Sequence, residues 1–422
     1  MAIGEAMGSA VRSMKPNTIR QCFKSMDGYK EVRPFIGKGV KSYRMRGLYG
    51  AQTQAALVLC DHLLTRRKVE RGAFISSLLE LRQAGPDLYY GVYRRPEACF
   101  RRALELVSEN PELGPPDLGL ATATFFTLGA VSALYHRGRN KAIFQNSLSA
   151  CLTVSRKFQE LAGAVVMARL VDSLLKISPG LPGSLMRDSV LENAVQFARE
   201  AETDLLQILP AICADIPRKT VEGLSSAFEL LTRKEMDTET TLLSLAENAR
   251  RWLDLPIAHS SQGTALTLPQ TALFLLANGS SFKETLTSAL HLGGEADKLG
   301  AIVGALAGAY YGSKTIPEAW VSGLVNIREI KMRGEALVKR RSSSKCKPLF
   351  EMESALTRKE AEERAKFLVN EPKRKLRGST KPDVFDGEEG IFFPEKGDRK
   401  SRRSFEREKS RKKRDRRRNL EF

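Results

Sequence analysis

Histidine and cysteine are scarce in this 422-residue chain, and neither is arranged for chemistry. The four histidines (His62, His136, His259, His291) have no ligand spacing among them. The six cysteines (Cys22, Cys60, Cys99, Cys151, Cys213, Cys346) stand singly, with no CxxC pair. That scatter argues against a zinc site and against a disulfide framework, and it fits a reducing cytosol. No apolar run approaches the roughly 18 residues of a membrane helix. Sustained apolar–polar alternation is missing too, so a β-rich domain is not expected. No fixed-period repeat marks a solenoid. The opening Met1–Gly8 carries neither a basic leader nor a signal-type apolar stretch, and a cytoplasmic location is the expectation. No serine or cysteine lies in a nucleophile-elbow context, and the two tryptophans, Trp252 and Trp320, read as core or rim residues.

What the chain does have is apolar residues at helical spacing. Hydrophobic residues make up 42% of it, ample for a core. Three- and four-residue spacing predicts helices over 54–64, 121–135, 152–175, 191–209, 240–253, 264–277 and 282–290. Breaks fall at Gly114-Pro115-Pro116, at Ser178–Gly183, at Pro217 and at Asn278-Gly279. The expectation is one compact all-α domain over residues 1–330.

Charge divides the chain differently. The net charge is +19, and from Lys331 onward 30 Lys+Arg stand against 17 Asp+Glu, which places +13 of it in the last quarter. Residues 331–422 contain basic clusters such as Lys373-Arg374-Lys375 and Arg411–Arg418, with few apolar anchors. They read as a basic, largely disordered extension with one possible helix at 351–369. Ile391-Phe392-Phe393 is the aromatic knot after that helix. Such a tail attracts nucleic acid or an acidic partner by phosphate neutralisation and counterion release. With aromatic residues sparse, base stacking is expected to be minor.

The richest local pattern is Gly293-Gly294-Glu295-Ala296-Asp297-Lys298-Leu299-Gly300. A glycine pair, two carboxylates two residues apart and a small-residue helix aim acidic groups at a cation or a phosphorylated ligand. The glycine amides suit a phosphate at a helix start. Lys298 stands where a further polar metal ligand would be useful, and it suits a phosphate or a ribose hydroxyl instead. His291 directly precedes the pair. Gly300, Gly304, Gly308 and Gly312 lie four apart and form a flat stripe for close helix packing.

These residues carry a resemblance. Gly263-Thr264-Ala265, Leu268-Pro269, Ala289–Gly294, Leu299–Gly312 and Ile316–Trp320 resemble the C-terminal half of the ADP-ribosylglycohydrolase family. Ala2–Gly8 looks like that family's opening helix, and Gly47-Leu48-Tyr49 with Thr53-Gln54 looks like its second motif. The resemblance implies a compact orthogonal helical bundle, two magnesium or manganese ions, and hydrolysis of the bond joining ADP-ribose to an acceptor.

Carried over residue by residue, the family's metal ligands are depleted. Its Thr-Asp-Asp run falls on Gly50, Ala51 and Gln52, and its Asp-x-Asp-Thr run on Glu295, Ala296, Asp297 and Lys298. A carboxylate proposed as a base in part of the family falls on Arg12. The resemblance therefore implies a catalytically impaired protein that still binds ADP-ribose or a related nucleotide. Ligand-binding candidates are Gly293, Gly294, Lys298, His291, Tyr49 and Gln52. Asp297 and Glu295 are the metal candidates, for one Mg2+ or Mn2+ at most and more readily for none. Lys298 is placed to salt-bridge Asp297 in a metal's stead. Two other readings stay open: a divergent one-metal hydrolase, and a nucleic-acid- or ribosome-associated protein acting through its tail.

Overall fold

The computed structural model describes residues 1–30, 44–110, 122–177, 183–233, 237–341 and 345–369, leaving out 209–221 within that span. The basic tail from residue 370, including the Ile391 knot and the Arg411 cluster, lies outside the described residues, as do the breaks at 114–116 and Pro217. The fold is all-α. The first helices are α1 (Ala2–Gly8), α2 (Pro16–Phe23), α3 (Ala51–Arg66), α4 (Arg71–Glu80), α5 (Ala98–Glu109) and α6 (Phe126–His136). The middle of the chain gives α7 (Asn140–Leu152), α8 (Phe158–Leu174), α9 (Gly183–Ile208), α10 (Gly223–Glu229) and α11 (Thr238–Leu253). Then follow α12 (Leu268–Asn278), α13 (Phe282–His291), α14 (Ala296–Tyr311), α15 (Glu318–Ser322), α16 (Ile327–Lys339) and α17 (Leu349–Val369). Among the described residues there is no strand, and no helix is long and apolar enough to cross a membrane.

α8, α12 and α14 are buried almost all round, as helices apolar on every face must be. α14 is the hub and packs against α1, α12, α13, α8, α6 and α3. Its contact with α1 is backbone against backbone. A Cβ at Gly4 would collide with the Gly300 carbonyl, and one at Gly300 with the Gly4 carbonyl. Glycine at both places is what lets the two axes approach. The expected stripe is thus half used: Gly300 meets α1 and Gly304 faces Met1, while nothing lies near Gly308. Trp320 is buried, and its Nε1–H donates to the Asp27 carbonyl at 2.6 Å.

Residue 330, the expected domain end, falls inside α16, which runs on to Lys339. The helix expected at 351–369 is α17, and it docks on the bundle near α3. The long helix expected over 152–175 is α8, which begins only at Phe158, because Leu152 closes α7 and residues 153–157 turn between the two. Apolar spacing carries on through Val154 although the backbone turns there.

Candidate functional site

The glycine corner organises the site. Gly293 and Gly294 both take positive φ, 64° and 60°, which glycine adopts without steric cost. Their amides, however, are committed inside the protein. Gly293 N–H donates to Leu290 O at 3.3 Å and Gly294 N–H to Met14 O at 3.0 Å, while Ser13 N–H donates to Gly294 O at 2.7 Å. The expectation that the pair offers its amides to a phosphate is therefore not met. Instead the pair clamps the turn after α1 and carries Arg12 to the first turn of α14.

That clamp creates an ion pair. Arg12 Nη1 donates to Asp297 Oδ2 at 2.9 Å, and Asp297 Oδ1 accepts the Lys298 backbone N–H at 3.0 Å. Lys298 does not pair with Asp297, contrary to the sequence expectation. Its ammonium meets Glu295 and Glu97. The reason is helical geometry: Lys298 follows Asp297 directly, so their side chains diverge, whereas Glu295 lies three residues back on the same face. Glu97, which precedes α5, also accepts from the Thr124 hydroxyl.

A third carboxylate is Glu5 on α1. Its Oε1 accepts Gln52 N–H at 3.2 Å and its Oε2 accepts Thr53 N–H at 2.9 Å. It thus caps the N-terminus of α3, where the helix dipole favours negative charge. Burial pushes Glu5 above the ordinary carboxylate range, with the Thr53 hydrogen bonds opposing. Burial likewise raises Glu295 to about 7, opposed by Arg12, and drives Lys298 well below the usual lysine value, with Arg12 adding to that. Asp297 holds Arg12 firmly charged.

Around these groups lies a cleft. Its walls carry the carboxylates of Glu5, Glu97, Asp297 and Glu360, and the cations Arg12, Arg44, Arg94, Arg95 and Lys298. Its open space at the centre is about 20 Å³. That is room for roughly one water. Buried polar atoms on its walls that have no hydrogen-bond partner within the protein include the Gln52 Oε1 acceptor and the Arg95 Nε donor. Arg95 is also held in the left-handed region at φ 55°.

Both oxygens of Glu5 and both of Asp297 are taken by N–H donors, and Glu97 and Glu295 face an ammonium. Gly50-Ala51-Gln52 adds no carboxylate. Among the described residues no three acidic, histidine or cysteine side chains are gathered as metal ligands.

A family model described as ADP-ribosylglycohydrolase matches residues 1–346. The chain belongs to this family. Among curated relatives it is similar to the ADP-ribosylhydrolase ARH3 of Bos taurus, 24% identical over 176 residues, 42% of this chain and 46% of that protein. It is also similar to the ADP-ribosylhydrolase ARH3 of Mus musculus, again 24% identical over 176 residues, 42% of this chain and 45% of that one. The matched stretch thus spans less than half the length of either relative. Among solved structures, an ADP-ribosylglycohydrolase-related protein complex superposes with a TM-score of 0.50 at 22% identity. That match covers 81% of this chain and 98% of the other, and it establishes the fold.

Within this ADP-ribosylglycohydrolase fold, Tyr49, Gln52, Asp297 and Lys298 line the cleft as candidates from the sequence. Glu295 stands behind Lys298 and contacts it. Gly293, Gly294 and His291 do not line the cleft, and His291 Nδ1 bonds the Thr287 carbonyl of its own helix at 2.8 Å. Sequence reasoning missed Glu5, Glu97, Arg95 and Glu360. Only Glu5 had a visible signal, a lone charge in the small-residue helix Ala2–Gly8.

Proposed function

We propose that this chain is a metal-independent member of the ADP-ribosylglycohydrolase family that binds ADP-ribose or a related nucleotide and does not hydrolyse it. The observation that carries this reading is the placement of Arg12 on Asp297 and of Lys298 on Glu295 and Glu97. Two positive side chains stand against the carboxylates at which two divalent ions are expected. They supply nitrogen donors to the carboxylates, but not what paired ions contribute to hydrolysis: a polarised, deprotonated water and a clamp on both ribose oxygens. Magnesium demands near-octahedral oxygen ligation, and Glu295 and Asp297 would have to exchange or share their contacts with Lys298 and Arg12 to supply it.

Binding draws support from the remaining wall. Arg44 and Arg95 bring guanidinium groups to the cleft lining. Guanidinium forks suit phosphate oxygens. The open acceptor on Gln52 and the open donor on Arg95 are the kind of groups a ligand with both hydroxyls and phosphates would satisfy. Drug-sized ligands occupy roughly 300–1,000 Å³, so entry requires long side chains such as Arg44 and Arg95 to swing aside. Calorimetric titration of ADP-ribose tests the reading. Equal affinity in EDTA and in magnesium is expected, with no release of ADP-ribose from modified arginine or serine peptides. Binding that needs magnesium, or release at rates expected of an intact dimetal site, would overturn it.

A further inference from the structure

α17 begins at Leu349, just past residue 346 where the family match ends, yet it reaches the walls of the cleft. Its buried face is unusual. Glu353, Ser354, Thr357 and Glu360 are all buried there, with Met352 beside them. Helices normally dock through an apolar stripe. A polar stripe docks only where complementary groups wait, and Glu353, Thr357 and Glu360 each meet them.

Glu353 is fully buried, and three groups meet it. Tyr49 Oη donates to its Oε1 at 2.6 Å, Gln54 Nε2 to its Oε2 at 2.9 Å, and Arg94 Nη2 to the same Oε2 at 2.6 Å. Thr357 Oγ1 accepts from Arg94 Nη1 at 2.9 Å and donates to Val92 O at 2.7 Å. Glu360, which lines the cleft, accepts from Met45 N–H at 3.0 Å and from Tyr89 Oη at 3.2 Å.

Arg94 passes this network on to the second motif. Its Nε donates to Tyr49 O at 2.9 Å, its N–H to Gln54 Oε1 at 2.8 Å, and its carbonyl accepts Ala51 N–H at 2.8 Å. Its guanidinium also lies 4.9 Å from the centre of the Tyr49 ring. Arg94 therefore brackets Tyr49 to Gln54, the segment whose amides hold Glu5 and whose Tyr49 and Gln52 line the cleft. Glu353 is its buried counter-charge. Fully satisfied buried networks of this kind rigidify what they touch.

We propose that α17 is a working part of the ligand site, and that Glu353 is a positioning residue which, through Arg94 and Tyr49, sets the segment 49–54 for ligand binding. In its ligand readout this rests on the proposed ADP-ribose binding. Recognition in this chain would then depend on a helix beyond the span that the family match covers.

The test uses the full chain carrying Glu353→Gln, with Lys359→Ala on the exposed face of α17 as control. Amide hydrogen exchange is read over 49–54, and ADP-ribose affinity is read by calorimetry at a temperature where circular dichroism shows every variant folded. Glu353→Gln is expected to speed exchange at Ala51, Gln52 and Thr53 at least tenfold and to weaken ADP-ribose at least tenfold. Lys359→Ala is expected to leave both unchanged. Should Glu353→Gln fail to fold, Thr357→Val removes two hydrogen bonds but keeps the ion pair, and a smaller change in the same direction is expected. Exchange over 49–54 and affinity both matching the unmodified chain, with only melting temperature reduced, would overturn the proposal. If the unmodified chain binds no ADP-ribose, the binding reading fails, and exchange over 49–54 alone decides the role of Glu353.

Discussion

At the scale of single residues, two cations decide how the acidic cluster behaves. The Lys298 and Glu295 side chains are 3% and 8% exposed. Removing one partner of such a pair leaves an uncompensated buried charge and costs about 3 to 5 kcal/mol. Lys298→Met is accordingly expected to lose about that much stability in urea unfolding at pH 8. Glu295, raised to about 7 by burial, takes up a proton as pH falls through that value, which leaves Glu97 as the other carboxylate facing position 298. The loss should therefore shrink at pH 5. A neutral or stabilising effect at pH 8 would mean that Lys298 does not neutralise the carboxylates. Arg12 was visible in the sequence as a cation where a carboxylate is expected. Its partner was not: Arg12 and Asp297 are 285 residues apart, and the α1–α14 crossing and the clamp at Gly293-Gly294 bring them together.

At the scale of elements, the α1–α14 crossing carries the architecture. Overpacking a core by a methyl group usually costs about 1 to 3 kcal/mol. At Gly300 the obstacle is the Gly4 backbone, which cannot rotate away, so Gly300→Ala should cost about 3 kcal/mol or more. Gly308→Ala meets no neighbour and should stabilise α14 by about 0.5 to 1 kcal/mol. Thermal melts of the two variants check this, and equal effects would contradict the packing account. Long amphipathic helices such as α11 and α13 were legible from periodicity, since a stripe facing a core leaves a 3.6-residue pattern. α17 was legible as a helix, but its docking was not. Counting apolar residues cannot reveal a buried face made of Glu353, Thr357 and Glu360. α5, with buried Phe100, Ala103, Leu104 and Val107, has the usual spacing and was overlooked among its arginines and glutamates.

At the scale of the whole molecule, an intact family fold surrounds an altered charge arrangement. Fold and family were readable because glycine contacts and buried helices leave contiguous motifs, as in Gly293–Gly312. The site was only half readable because its charges come from α1, the turn before α5, α14 and α17, parts of the chain that no local spacing connects. Its logic emerges only when they meet: each carboxylate that would hold a metal is met by an N–H group of the protein. Magnesium is silent in most spectroscopies, but manganese is not. Electron paramagnetic resonance of Mn2+ titrated into the full chain therefore reads directly whether these carboxylates take up a metal. The signal is expected to stay that of free aqueous Mn2+ at micromolar metal and protein; stoichiometric loss of that signal, restored when excess Mg2+ displaces the ion or acid unfolds the chain and absent in Asp297→Ala, would contradict metal independence.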